Sequence, residues 1–302
     1  MKELNFLLIC LIVFSITISK DGQKSTNRKE TLPTSDKKRT LDNDNYIIVY
    51  YSASAMYGPS FVTSGYTIFN QDIPTRSQVS SLTVLGNTGS NNEIAPNGDF
   101  HVYPGEGLKI HFNKKISSLK DFFNTKYDTR SAPINSVDFS NFDTTELTDL
   151  SGMFYGVVYL GTVNFGNFDG AKITNISEIF SGCNNINYIV LGKFKDSSKV
   201  SISNLFSGMK NLNTVNLSSY VGESVTNISA MFSGCIRLTS VDLGSFTGKE
   251  VTNINAMFSE CNSLESVEFL NFVGSKVTNI SAMFSNCTSL KRLIFQNLLE
   301  QV

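Results

Sequence analysis

The second half of this 302-residue chain repeats a 26-residue unit without insertions. One phenylalanine keeps the same phase in six successive units: Phe154, Phe180, Phe206, Phe232, Phe258 and Phe284. A fixed period means that every unit presents the same atoms to the same neighbours, so that the units stack side by side. The sequence therefore predicts a solenoid whose function belongs to its repeated faces.

Each unit contains two different apolar spacings. In the unit that begins at Leu238, Val241 and Leu243 alternate with polar residues, which is typical of a short strand with one buried face. Later in the same unit the apolar residues step by three or four, which predicts a helix of about two turns. These later residues are Ile254, Met257, Phe258 and Cys261.

The predicted helices all begin at a polar side chain that can accept a hydrogen bond from a free backbone amide, as an N-cap does. These side chains are Asp149, Asn175, Ser201, Asn227, Asn253 and Asn279. A strand, a turn and a short helix within 26 residues fit the leucine-rich-repeat length. The predicted fold class is an α/β solenoid of leucine-rich-repeat type, with one short parallel strand and one short helix per repeat and an N-terminal β-rich cap.

An aromatic residue replaces the asparagine or cysteine of the common leucine-rich repeat. The residues at this place are Phe142, Phe168, Phe194, Tyr220, Phe246 and Phe272, which predict an internal aromatic ladder. The third unit departs from the pattern, because Lys199 occupies a place that is apolar elsewhere. We expect Val200 to take the buried place by a one-residue slip.

Units such as VTNISAMFSGCIRLTSVDLGSFTGKE resemble the BspA-like leucine-rich-repeat surface antigens of bacteria and parasitic protists. The resemblance covers roughly residues 108–302 and rests on the joint recurrence of strand, cap residue, Met-Phe pair and cysteine. It implies a secreted or surface-anchored protein, and some relatives bind extracellular-matrix or host-cell ligands. The resemblance supplies no catalytic residues.

The N-terminal part has a different composition. Residues 1–19 carry Lys2 before a short apolar core and predict a signal peptide. Residues 20–44 are polar and predict a flexible leader. Residues 45–107 predict a β-rich cap or a small binding domain, residues 108–133 a degenerate first repeat, and residues 134–302 the regular repeats.

Composition and motifs exclude several functional classes. Charged residues are 17% of the chain and the net charge is -1, which gives no reason to expect a nucleic-acid partner. His101 and His111 are the only histidines, and no zinc-protease, phosphate-loop or serine-hydrolase motif occurs. We therefore expect no enzymatic activity, no cofactor and no metal site.

The cysteines and most of the sequons recur at fixed positions of the repeat, and this gives them a structural explanation. Cys183, Cys235, Cys261 and Cys287 share one repeat position, which predicts buried free thiols rather than disulfides. Three of the five Asn-X-Ser/Thr sequons, those at Asn175, Asn227 and Asn279, coincide with the predicted caps. Asn216 differs, because it points out of a predicted strand, where a glycan would obstruct the sheet face.

The exposed sheet face is the predicted binding surface, since each strand contributes outward residues that stack about 4.8 Å apart. The candidate ligand-binding residues are Tyr188, Val190, Asn216, Asp242 and Glu268. We expect adhesion to a host or extracellular-matrix protein or glycan. A passive surface coat is the alternative, and a glycan-acting enzyme that uses Asp242 and Glu268 is a third, because carboxyls about 5 Å apart suit a retaining glycosidase.

Overall fold

The computed structural model describes eleven ranges of the chain: 45–51, 61–62, 78–85, 92–94, 101–102, 107–125, 134–166, 170–186, 200–215, 222–243 and 245–295. The predicted signal peptide and leader lie outside these ranges. No helix with the length and apolar content of a membrane span occurs within them.

The N-terminal strands pair antiparallel with one another in two sheets. They are β1 (Tyr46–Tyr51), β2 (Phe61–Val62), β3 (Val79–Leu85), β4 (Asn92–Ile94), β5 (His101–Val102) and β6 (Gly107–Phe112). β1 and β3 both pair with β6, β4 pairs with the far side of β3, and β2 pairs separately with β5. Alternation in β1 buries Ile47 and Val49 completely, because the opposite face of this strand is turned away from the core.

The first repeats extend the same sheet. β7 (Ile134–Asp138) pairs antiparallel with β1 and parallel with β8 (Thr162–Asn164), so the strand order is β4-β3-β6-β1-β7-β8. β1 therefore covers the first edge of the repeat strands with backbone hydrogen bonds.

The last repeats form a second parallel ladder. Its strands are β11 (Ser240–Asp242), β12 (Ser266–Phe269) and β13 (Arg292–Phe295), and paired residues lie one repeat apart, as Val241 and Val267 do. The parallel strand predicted for each repeat is confirmed in five repeats, by β7, β8, β11, β12 and β13. β8 and β11 belong to different sheets, however, and residues 187–199 and 216–221 between them lie outside the described ranges.

The degenerate first repeat differs from its prediction. Residues 108–112 lie in a strand, but β6 is separated from β7 by β1 and runs antiparallel to β1. Only the later part of this segment stacks on the repeats: the amides of Leu119 and Asp121 donate to the carbonyls of Asp149 and Ser151, at 3.0 and 2.9 Å. The physical reason is that β1 already occupies the edge of β7.

The prediction of a helix in each repeat is wrong, because the described residues contain turns and strands but no α-helix. Within the predicted helix of one repeat, Ser233 N–H donates to the Ala230 carbonyl at 3.0 Å, as in a turn. The neighbouring amide of Phe232 instead donates to Met257 of the next coil at 2.9 Å. Since alternate amides bond to the next coil, a continuous helical ladder cannot form.

Left-handed residues confirm the turn geometry. Ala230 and Gly234 have φ values of 50° and 74°, and the corresponding pair in the next coil, Ala256 and Glu260, has 52° and 61°. Residues in this region terminate a right-handed helix. Each coil has two left-handed residues, four positions apart. The turns that they form point apolar side chains inward every three or four residues, which is also the spacing typical of a helix. The fold is therefore a stack of strand-and-turn coils, and the α/β assignment is corrected.

The side chains of the predicted N-cap column accept backbone hydrogen bonds although no helix follows them. Asn227 Oδ1 accepts from the Ser229 amide, and Asn253 Oδ1 from the Asn255 amide, both at 3.0 Å. This is an Asx turn. Asn227 and Asn253 also form a parallel bridge, and β9 (Val200–Ser201) pairs with β10 (Val225–Asn227) in the same column. Each coil thus contacts the next through a second set of backbone hydrogen bonds.

Stacked phenylalanines fill the core. Phe232 lies between Phe206 and Phe258, with ring centroids 5.4 and 5.5 Å away, and the whole column stacks in this way from Phe123 to Phe284. The predicted second aromatic ladder is present where described, since Phe246 and Phe272 stack at 6.2 Å. Phe168, Phe194 and Tyr220 lie outside the described residues.

The slip in the third unit and the state of the cysteines are confirmed. Val200 is buried and lies opposite Val225, one residue out of the usual register. All four cysteines of the repeats are free thiols, three of them buried and Cys287 half-buried. Each donates to a backbone carbonyl of the previous coil, as Cys235 does to Phe206 at 3.0 Å. Burial raises the pKa of the Cys235 thiol to about 12.

Candidate ligand-binding face

The carboxylates of Asp242 and Glu268 project from the same face of the last ladder. Asp242 lies directly opposite Glu268, and Glu268 lies opposite Ile294 on β13. Their strand neighbours Val241 and Val267 point into the core. Because side chains alternate along a strand, the two acidic residues occupy the outward face and are half-buried there.

The carboxyl group of Asp242 has a raised pKa. Partial burial, and then the negative charge of Glu268, raise the pKa of Asp242 from 3.8 to about 6. Near neutral pH two like charges therefore lie side by side on one ladder. This arrangement can hold a proton in mild acid or attract a positively charged group on a ligand. Among the described residues no group of three or more histidine, cysteine, aspartate or glutamate side chains could hold a metal ion.

The equivalent position in the first repeats has a different environment. Asp138 lies opposite Asn164, whose Nδ2 donates to Asp138 Oδ1 at 3.2 Å and to Ser140 Oγ at 2.9 Å. The side-chain amide of Asn164 is therefore a hydrogen-bond partner of the Asp138 carboxylate on the adjacent strand. The acidic pair at Asp242 and Glu268 is a local departure from the polar lining of this face.

Three predicted ligand-binding residues, Tyr188, Val190 and Asn216, lie outside the described residues. Of the five predicted side chains, the structure places Asp242 and Glu268 and brings them together in one register.

Sequence reasoning missed the part of the face that lies on the N-terminal sheet. Ile48 of β1 lies opposite Asp138 on one side and Lys109 on the other, so the face crosses from the repeats onto the cap. We call the outward residues of β1 and β6 the aromatic–basic patch: Tyr46, Ile48, Tyr50, Lys109 and His111. The run YIIVYY concealed this patch, because a strand with large residues on both faces has no polar alternation to reveal the exposed one.

The patch has defined internal contacts. The Lys109 ammonium lies 3.4 Å from the centroid of the Tyr46 ring, which is a cation–π contact. His111 Nε2 lies 3.1 Å from Thr83 Oγ1 on β3, and the Tyr46 and His111 ring centroids are 5.8 Å apart. Tyr50 is the most exposed of the large residues here, with 37% of its surface accessible.

Two overlapping stretches, residues 117–213 and 174–297, match a family described as "Mycoplasma protein of unknown function, DUF285". Together they cover more than half of the chain. The chain belongs to the DUF285 family. The DUF285 region contains the repeats and the acidic pair, whereas the aromatic–basic patch lies before residue 117 and outside the matched stretches.

The DUF285 chain is also similar to a solved structure, that of a leucine rich cell surface protein from Faecalibacterium prausnitzii A2-165. The two share 18% sequence identity with a TM-score of 0.37, over 62% of this chain and 59% of that chain. No curated protein matches the chain.

Proposed function

We propose that this protein is a secreted or cell-surface repeat protein that binds a protein or glycan ligand through its exposed sheet face. The ligand belongs to the extracellular matrix or to a host-cell surface, and nucleic acid is not a partner. The predicted signal peptide at residues 1–19 supports the location.

The acidic pair carries this proposal. Like charges placed directly opposite each other destabilise a sheet, so Asp242 and Glu268 weaken the ladder that presents them. Residues whose charges oppose folding are concentrated at functional sites. A cationic or hydrogen-bonding group on a ligand would relieve the repulsion between the two carboxylates.

The test measures binding of the purified protein to matrix proteins and to host cells in parallel. We expect saturable binding by the wild type, and its loss in the triple variant Tyr188→Ala, Asp242→Asn, Glu268→Gln. The control is Glu146→Gln, Glu250→Gln, which removes two carboxylates that form exposed ion pairs with Lys172 and Lys276 in the turns of the repeats. Unchanged binding by the triple variant would overturn the role of this face.

The same purified protein tests two alternative functions. A passive coat protein would show no saturable binding to any matrix protein or cell surface. A glycan-acting enzyme would hydrolyse oligosaccharides. The observation that favours it is that Asp242 lies opposite Glu268 on an adjacent strand. Adjacent strands are about 4.8 Å apart, and retaining glycosidases hold their carboxyls about 5 Å apart. We propose that the protein is not an enzyme, and detection of hydrolysis that Glu268→Gln abolishes would contradict this.

A further inference from the structure

The aromatic–basic patch contains an ammonium group without a carboxylate partner in the described part of the chain. Lys109 contacts the Tyr46 ring and forms no ion pair there. Five other lysines of the described residues, by contrast, each pair with an aspartate or glutamate within 4.0 Å. Two acidic residues, Asp138 and Glu93, lie in register with Lys109, each two strands away. Ile48 separates Asp138 from Lys109, and Thr83 separates Glu93 from it. Within the described residues no carboxylate neutralises the positive charge at Lys109, which can therefore attract an anionic ligand.

Tyr50 provides a flat aromatic surface beside this charge. Its ring lies over Gly107, where a Cβ atom would be only 3.0 Å from the ring Cε1 and 3.4 Å from Leu85 Cδ1. The absence of a side chain at Gly107 thus lets the ring lie against the sheet. On the other side of β1, Ser136 of β7 lies opposite Tyr50, and Thr162 of β8 lies opposite Ser136. Hydroxyl groups therefore border the ring on the side of the repeats.

Sheet topology decides how a ligand can be recognised here. β1 and β6 are inner strands of the six-stranded sheet, and both edges of each are paired. An extended peptide therefore cannot add to them through backbone hydrogen bonds, which is the usual way in which a sheet binds a peptide. Recognition must use side chains that stand on a flat surface. A sugar suits such a surface, because its apolar ring face stacks on an aromatic residue while its hydroxyl groups form hydrogen bonds with small polar residues.

We propose that the aromatic–basic patch binds an acidic glycan, with a sugar ring stacked on Tyr50 and a sugar carboxylate held by Lys109. Tyr46 and Tyr50 are four residues apart on one strand, or about 14 Å, so the patch is long enough for a short oligosaccharide rather than for a single sugar. The inference rests on the proposed function, since it names a class of ligand for the same binding protein, although the contact lies on the six-stranded sheet and not on the ladder of Asp242 and Glu268. It also moves the contact from the repeats to the cap.

The experiment compares two forms of one ligand. The probe is an immobilised oligosaccharide of alternating uronic acid and N-acetylhexosamine units, together with its carboxyl-reduced neutral form. We expect the full-length protein to bind the acidic form at least tenfold more tightly than the neutral form. Because the contact is charged and exposed, the affinity falls as salt rises. Equal binding of the two forms would overturn the proposal.

Variants locate the contact. Lys109→Met and Tyr50→Ala should each weaken binding by about tenfold or more, and Tyr50→Phe should retain it because the ring remains. The matched controls are Lys210→Met and Tyr159→Ala, which alter an exposed lysine and an exposed tyrosine in the turns of the repeats, outside β1 and β6. Thermal unfolding shows whether each variant is folded. Wild-type affinity in folded Lys109→Met protein would overturn the proposal.

The outcomes also separate this inference from the proposed function. Adhesion to cells that depends on Asp242 and Glu268, without binding of the acidic oligosaccharide, would overturn the inference and leave the proposed function standing. Absence of both kinds of binding would overturn both. Competition by an acidic peptide such as polyglutamate, at concentrations at which the oligosaccharide does not compete, would overturn the glycan assignment in favour of an acidic protein partner.

Discussion

Asp242 and Glu268 lie directly opposite each other on adjacent parallel strands, one repeat apart in the chain. The sheet thus places the two acidic residues on neighbouring strands about 4.8 Å apart. Both are half-buried, and the pKa of Asp242 rises to about 6 in consequence. The pair links the repeat geometry to a measurable property, the dependence of stability on pH.

The first prediction is that mild acid stabilises the fold. The pKa of Asp242 is raised from 3.8 to about 6, so the folded state binds this proton more tightly than the unfolded state does. The free energy of unfolding should therefore rise as the pH falls from about 7 to about 4. The gain should stay below about 2 kcal/mol, because water screens a half-exposed group. Urea denaturation at several pH values measures it.

The variant Asp242→Asn should be more stable than the wild type at pH 7 and should lose this part of the pH dependence. Asp138→Asn is the matched control, since Asp138 lies opposite Asn164 instead of a carboxylate. An Asp242→Asn protein with the pH dependence of the wild type would contradict the prediction. Below pH 4 a different effect begins, because hydrogen bonds from Thr145 lower the pKa of Asp143 and their stabilisation is lost there.

A second prediction distinguishes turns from helices. Ala230 has φ of 50°, a conformation that costs a residue with a Cβ about 1–2 kcal/mol. Ala230→Gly should therefore leave the protein as stable as the wild type or up to about 1 kcal/mol more stable. In a helix the same change would destabilise by about 1 kcal/mol. Chemical denaturation decides between them, and a loss of that size would favour the helix.

Gly234→Ala provides the converse control for this turn. Its φ is 74°, and an added Cβ would lie 3.5 Å from the Gly208 Cα, which is an ordinary contact. The backbone conformation rather than a clash should then destabilise the variant by about 1 kcal/mol.

The third prediction concerns the phenylalanine column. Phe232 is completely buried between Phe206 and Phe258, so Phe232→Ala should lower the free energy of unfolding by about 3–5 kcal/mol. Tyr159→Ala should change it by less than about 0.5 kcal/mol, because 47% of that side chain is exposed. Equal effects of the two substitutions would contradict the stacking as the source of stability.

The fourth prediction concerns the thiols. Burial raises the pKa of all four cysteines of the repeats, and Cys287 is the only one of these four that is half-exposed. We expect maleimide to modify Cys287 first in the native protein at pH 8, and all four residues after unfolding. Mass spectrometry of the modified peptides measures the order. Fewer than four reactive thiols in denaturant, without reductant, would indicate a disulfide.

The inward positions could be predicted from the sequence because every repeat shares one phase. Val241, Phe246 and Cys261 are buried as the pattern requires, and the polar cap residues accept backbone hydrogen bonds as expected. The sequence did not predict that these polar residues form Asx turns instead of helix caps. The reason is that a side-chain oxygen accepts a nearby backbone amide both at a helix N-terminus and in a turn.

The candidate face could be predicted only in part. The register of Asp242 with Glu268 follows from the repeat period, since equal positions of successive coils must lie side by side. The aromatic–basic patch did not follow, because Tyr50 and Gly107 meet through a pairing between segments more than fifty residues apart. No local pattern records such a pairing.

The sequence by itself determined the period, the inward positions and the register of the acidic pair, because a strict repeat fixes which atoms meet in successive coils. Tertiary structure alone decided two things. Hydrogen bonds between coils selected turns over helices, since alternate amides such as that of Phe232 find acceptors in the next coil. Long-range strand pairing inserted β1 between β6 and β7, and this joined the cap and the repeats into one face.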